Sequence, residues 1–161
     1  MTIEIRILDY KNSDETQHLI DLLDHYARDE MGGGVPLSEK VRKNLASELS
    51  ALPHAFSIIA YVDDKPAGLA NCFEVFSTFQ CKPIINIHDV IVKADFRGLK
   101  LSTKILEKVQ SIAVKRGCCK ITLEVLEGNY IAQNAYKKFG FSGYELDPKV
   151  GRALFWEKAL P

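Results

Sequence analysis

An excess of charge of either sign is missing from this sequence: 21 lysines and arginines are matched by 21 aspartates and glutamates, for a formal net charge of zero. A chain that holds a polyanion by charge shows a basic surplus, so nucleic acid is not an expected partner. No apolar run approaches the ~18 residues of a membrane span. The opening MTIEIRILDYKN lacks a basic segment followed by an apolar stretch, so no membrane partner is expected and the expected location is cytoplasmic. Cysteine is sparse and unpatterned. Cys72, Cys81, Cys118 and Cys119 contain no CxxC pair and keep no ligand spacing with His18, His25, His54 or His88, which argues against a metal site. The adjacent Cys118 and Cys119 read as small packing residues in a reducing compartment. The pattern GxxxxGK[ST] is also absent, which removes ATP binding by a P-loop.

What is present is a chain of 161 residues with 47% apolar content, enough for one domain with a sizeable core. No linker, repeat or low-complexity tract divides it, so residues 1–161 are expected to form a single domain. Ile3, Ile5 and Ile7 alternate with polar residues, the period of a half-buried strand. Asn12, Ser13 and Asp14 offer N-caps for a helix carrying Leu19, Ile20, Leu22, Leu23, Tyr26 and Ala27, which the MGGG of Met31 to Gly34 ends. Ser38 opens a second helix that Pro53 closes. Phe56 to Val62, DDKP, and AGLANCFEVF read as a hairpin, with a third strand at Ile84 to Val92. A helix over 102–116, a strand over 120–126, a helix over 129–139 and a closing strand at Ala153 to Lys158 complete the order β-α-α-β-β-β-α-β-α-β. The expected fold is α/β, a mixed central sheet flanked by helices.

The stretch DFRGLKLSTKIL, residues 95–106, leads from the third strand of that run into a helix with Ile105, Leu106, Val109, Ile112 and Ala113 on one face. Its backbone must therefore lie at the helix N-terminus, where unpaired N–H groups carry about half a positive charge. Open α/β sheets collect anionic ligands at that place. Gly98 would permit close backbone approach, Arg97 and Lys100 add charge, and a pyrophosphate suits the set. On these residues alone, solvated loop charges around a plain turn remain an equal reading.

The arrangement resembles the GNAT superfamily of N-acetyltransferases. That family's [QR]-x-x-G-x-[GA] loop aligns with Arg97, Gly98, Leu99, Lys100, Leu101 and Ser102, with Lys100 in place of the usual glycine and Ser102 in place of glycine or alanine. NYIAQNAYKKFGF resembles its N-x-x-A-x-x-x-Y-x-x-x-G-F pattern at Asn129, Ala132, Tyr136, Gly140 and Phe141. The resemblance implies acetyl-CoA as co-substrate with no metal, direct transfer to an amine, and often a homodimer. It implies a cofactor site made by Val90, Ile91 and Val92, by Arg97 to Ser102 with Thr103, and by Asn129, Asn134 and Tyr136, with the Tyr136 hydroxyl as acid toward the CoA sulfur.

The chemistry also needs an uncharged amine, and an alkylammonium with a pKa of about 10.4 is mostly protonated at pH 7, at a cost of roughly 4 kcal/mol. Glu74, His88 and Asp89 are all candidates for the base, with a water relay as a fourth option. Cys72 to Val92 is similar to the same stretch of diamine and other small-amine acetyltransferases, where two acidic residues stand at the positions of His88 and Asp89. The resemblance therefore implies a small-amine acceptor, with a protein or peptide amine, or a CoA-binding module without turnover, as alternatives.

Overall fold

The computed structural model describes residues 1–161. In chain order the elements are β1 (Ile3–Ile7), α1 (Ser13–Arg28), α2 (Glu39–Ala51), β2 (Ala55–Val62), β3 (Lys65–Ser77), β4 (Lys82–Val92), α3 (Leu101–Lys115), β5 (Lys120–Leu123), α4 (Tyr130–Phe139), β6 (Glu145–Asp147) and β7 (Gly151–Arg152). The five strands β1 to β5 form one sheet in sequence order. Pairing is antiparallel except between β4 and β5. That one parallel pair needs a crossover, and α3 supplies it.

Local chemistry accounts for the helix ends. The Asn12 carboxamide accepts from the backbone N–H of Asp14 and Glu15 at 3.0 and 3.2 Å and starts α1. Ser38 does the same for α2 through Val41 N–H at 3.3 Å, and Asn129 for α4 through Ala132 N–H at 3.2 Å. The sheet is covered on both faces. Phe56, Ile58 and Ala60 of β2 pack with Ile105, Leu106 and Val109 of α3. Ile59 and Tyr61, pointing the other way, pack with Leu19, Ile20 and Leu22 of α1. Two-sided burial explains why FSIIAYV reads as a continuous apolar run rather than an alternating one. Gly68 keeps α3 close, since a Cβ there would come within 3.0 Å of both the Ile105 side chain and the Ile91 carbonyl. No helix is long and apolar enough to cross a membrane.

The closing strand expected at Ala153 to Lys158 does not form. The chain instead makes the short β6–β7 hairpin, and residues 153–161 have no regular structure. The cause is turn chemistry in DPKVG: Lys149 N–H donates to the Asp147 carboxylate at 2.8 Å, Val150 N–H to the Asp147 carbonyl at 2.9 Å, and Gly151 takes φ +90°. β7 thus ends at Arg152, and Leu154, Phe155 and Trp156 beyond it stand exposed. β5 is likewise shorter than expected, ending at Leu123.

Candidate active site

A gap in the sheet creates the site. β5 pairs with β4 only from Ile84 to Ile87, so from His88 to Val92 one edge of β4 has no strand beside it. A bulge falls at the same point: Asn71 of β3 faces Asp89, Cys72 faces Ile87, and His88 is the extra residue. The bulge re-aims the side chains that follow it. Ile87 joins the core beneath α3, whereas Asp89 meets Asn71, and His88 is exposed with its ring edge-on to Phe73 at 5.9 Å. The unpaired edge of Val90, Ile91 and Val92 borders the opening.

Beyond β4, a short 3₁₀ turn over Ala94–Phe96 leads through Arg97 and Gly98 to α3. Of the four α-helices, α3 alone has no side-chain cap, and its first turn, like that of α4, holds no acidic residue. The backbone N–H groups of Leu101, Ser102 and Thr103 have no acceptor within the chain. Leu101 is buried and Leu99 packs against the same small cluster as Phe96, which fixes the backbone while Arg97, Gly98 and Lys100 remain exposed. The result is a rigid rim of N–H donors with two cations beside it, the arrangement that binds phosphate groups at helix termini.

Lys100 stands where the resembling loop has glycine, and its φ of +57° and ψ of +30° show why glycine is favoured there. A left-handed conformation costs an L-residue roughly 1–2 kcal/mol, and glycine gives back about half of that in unfolded-chain entropy. Lys100→Gly is therefore expected to stabilise the protein by about 0.5–1 kcal/mol and raise the melting midpoint by ~1–4 °C. An unchanged or lower midpoint in a thermal melt would mean that Lys100 carries no strain.

On α4, Tyr136 packs against the cluster under α3, edge-on to Phe141 at 5.9 Å. Burial pushes its phenol up to about 12, with Tyr26 adding to the rise, so the hydroxyl keeps its proton at any physiological pH. Asn129 is engaged as the α4 cap, and Asn134 is exposed on the same helix.

Sequence reasoning missed Tyr26. Its phenol is raised first by burial and then by the negative charge of Asp89, while Tyr26 in turn raises Tyr136. Tyr26 on α1 therefore lies within electrostatic reach of Asp89 on β4 and of Tyr136 on α4. The only sequence signal was a tyrosine in the last turn before the MGGG loop. That loop is tied to it: Tyr26 OH donates to the Met31 carbonyl at 3.2 Å, and a Cβ on Gly32 would lie 2.0 Å from the Tyr26 carbonyl oxygen. Asp24 secures the loop's far end by accepting from Leu37 N–H, Arg28 and Arg42 at 2.9, 2.8 and 3.1 Å.

The structure does not bring Glu74 into this group. Its carboxylate pairs with Arg116 at 3.0 Å, just past the C-terminal end of α3, and Arg116 also lies over Phe56 on the α3 face of the sheet. Cys72 is close enough to feel Asp89, but burial pushes its thiol up to about 12, which leaves it an inert proton holder rather than a nucleophile.

Comparison with known proteins decides the family. A family model described as "Acetyltransferase (GNAT) family" matches residues 17–141. The chain belongs to the GNAT acetyltransferase family. Its GNAT core is similar to thialysine N-epsilon-acetyltransferase of Bos taurus, at 35% identity over 65 residues, which is 40% of this chain and 38% of that protein. The chain thus aligns with well under half the length of this curated relative. Among solved structures, the GNAT fold here is similar to aminoglycoside acetyltransferase meta-AAC0020 from an uncultured soil sample in complex with sisomicin, with TM-score 0.80, 12% identity, and 99% and 97% of the two chains covered. Aminoglycoside N-acetyltransferase AAC(6')-Iy in complex with CoA is also similar, with TM-score 0.74, 21% identity, and 98% and 95% covered.

Proposed function

We propose that this GNAT protein transfers the acetyl group of acetyl-CoA directly to a primary amine of a small molecule. The observation that carries this reading is the gap beside β4, which has the vacant N–H groups of α3 at its rim and Asp89 on the strand that borders it. In this reading the first turn of α3, with Arg97, Gly98 and Lys100, holds the pyrophosphate, and the free edge of Val90 to Val92 offers backbone groups to the pantetheine and the thioester carbonyl. Asn129 and Asn134 flank the same arm.

The proton balance follows from two groups. Asp89 accepts a proton from the bound ammonium and passes it to solvent, and the neutral amine attacks the thioester carbonyl. Asp89 then takes the second proton that nitrogen sheds as the C–N bond forms, and the Tyr136 hydroxyl donates toward sulfur as the C–S bond breaks. An amide and a free thiol result, and both side chains recover their protonation states from solvent. The inert Cys72 agrees with a ternary complex without an acyl-enzyme. Lys100 takes the left-handed conformation that its position requires, which supports a cofactor loop left intact by the lysine. The exposed apolar residues Leu154, Phe155 and Trp156 support a homodimer within the same reading.

The test is a thermal melt of the protein alone, with acetyl-CoA, and with ATP as an anionic control. Acetyl-CoA at ~100 times its dissociation constant should stabilise by about 2.7 kcal/mol, a midpoint shift of about 5–10 °C that ATP does not reproduce. Thiol release is then followed with thialysine, 1,3-diaminopropane, an aminoglycoside and a lysine peptide. Absence of any acetyl-CoA shift, or of thiol release with the whole panel, rejects the reading, and release with the peptide alone moves the acceptor to protein amines.

A further inference from the structure

A row of polar side chains crosses the otherwise apolar middle of the sheet. Tyr10 OH lies 2.7 Å from Ser57 Oγ, Ser57 Oγ 2.7 Å from Asn71 Oδ1, and Asn71 Nδ2 2.9 Å from Asp89 Oδ2. Ser57 on β2, Asn71 on β3 and Asp89 on β4 are direct register partners. Ser57 is 0% and Asn71 4% exposed, among Ile58, Ile59, Leu69 and Ala70, which are all fully buried. Polar groups in such a place cost stability unless each is bonded, and here each one is.

The donor direction is forced along the whole row. The Asp89 carboxylate only accepts, so Asn71 turns its NH₂ toward it and its carbonyl oxygen toward Ser57. That oxygen cannot donate, so Ser57 spends its single proton on it, and Ser57 Oγ must accept from Tyr10. Every hydrogen therefore points toward Asp89, and bonds aligned head to tail reinforce one another. A carboxamide in the middle cannot hand on a proton, so the row is not a wire. Its consequence is geometric: Oδ2 of Asp89 is held, while Oδ1 has no partner within the chain. Orientation matters here because Asp89 directly follows the bulged residue His88, where strand pairing alone leaves the local backbone least constrained.

We propose that Asn71, Ser57 and Tyr10 are positioning residues that aim the free Oδ1 of Asp89 at the acceptor amine, an inference that rests on the reading of Asp89 as the base. A misplacement of about 1 Å can cost ~10²-fold in rate. Ser57→Ala removes the hydroxyl without adding bulk and is expected to lower kcat by about 10- to 100-fold with KM for acetyl-CoA unchanged. Ser57→Thr keeps the hydroxyl and should stay within about 3-fold of the parent. Such a rescue would not follow if the site needed only a small residue.

The deciding measurement is a double-mutant cycle with Asp89→Asn, using acetyl-CoA and the amine turned over fastest in the panel above. If the row acts through Asp89, Ser57→Ala changes kcat by less than about 2-fold once Asp89 is gone. The same loss in both backgrounds, or unchanged kcat for Ser57→Ala alone, overturns the positioning role while leaving Asp89 as base. Unchanged kcat for Asp89→Asn itself overturns the base and this inference with it. Should Ser57→Ala fail to fold, Tyr10→Phe removes only the terminal hydroxyl, and a loss of about 3-fold or more that vanishes in the Asp89→Asn background is the expected result. No loss there overturns the row.

Discussion

Replacing Asp89 by asparagine is expected to lower kcat at pH 7 by about 10²- to 10⁴-fold, the usual contribution of a positioned general base, with KM for acetyl-CoA nearly unchanged. Asparagine is close in size and can still accept the Asn71 hydrogen bond through its carboxamide oxygen, so the sheet should survive. What is lost is the acceptor for the amine proton. The variant must then wait for amine already neutral in solution, and with an amine pKa of about 10.4 that fraction rises roughly tenfold per pH unit. The deficit should therefore shrink steadily between pH 7 and 9, while the parent enzyme varies less. A second readout is independent of turnover. Asp89 is the second cause of the raised Tyr26 phenol, after burial, so Asp89→Asn should move the Tyr26 titration downward in an absorbance titration. Equal turnover at pH 7 would pass the base to His88, which is exposed at the bulge and edge-on to Phe73.

The sequence was most legible where the determinants are local. The spacing of Ile105, Leu106, Val109, Ile112 and Ala113 announced a buried helix face, and all five are buried. DDKP announced the β2–β3 turn, and Asp63 and Asp64 occupy it with φ of +45° and +62°. The anion rim could be placed because it needs only a strand end followed by a helix start.

Non-local features were not legible in the same way. The three candidate bases were equivalent in sequence, and what separates them is pairing. One bulge in the β3–β4 register turns Asp89 toward Asn71 and leaves His88 outside. Arg116, 42 positions away, draws Glu74 to the other end of α3. Tyr26 was hidden for the same reason, because its approach to Asp89 and Tyr136 depends on how α1 lies across the sheet. In the tail, Ala153 to Lys158 read as a closing strand, yet the DPKVG turn just before it decided the local structure.

Replacing Tyr136 by phenylalanine is expected to lower kcat by about 10²- to 10³-fold, the loss typical of one preorganised donor to a developing charge. The ring should keep its packing against Phe141, so the acetyl-CoA melting shift is expected to persist. The size and the pH dependence both follow from the environment of the phenol. With Tyr136 raised to about 12 by burial and an ordinary thiol near 8.5, complete proton transfer to sulfur is uphill by about 3.5 pH units, or roughly 5 kcal/mol. In the proposed reaction Tyr136 would therefore act through a hydrogen bond that strengthens as negative charge gathers on sulfur, with the full proton arriving late. Because the phenol loses that proton only near pH 12, the ratio of parent to variant rates should be flat from pH 6 to 9. The Asp89→Asn deficit, by contrast, falls across the same range. A Tyr136→Phe deficit that fell with rising pH would place Tyr136 on the amine side of the reaction, and an undiminished kcat would remove it from the chemistry altogether.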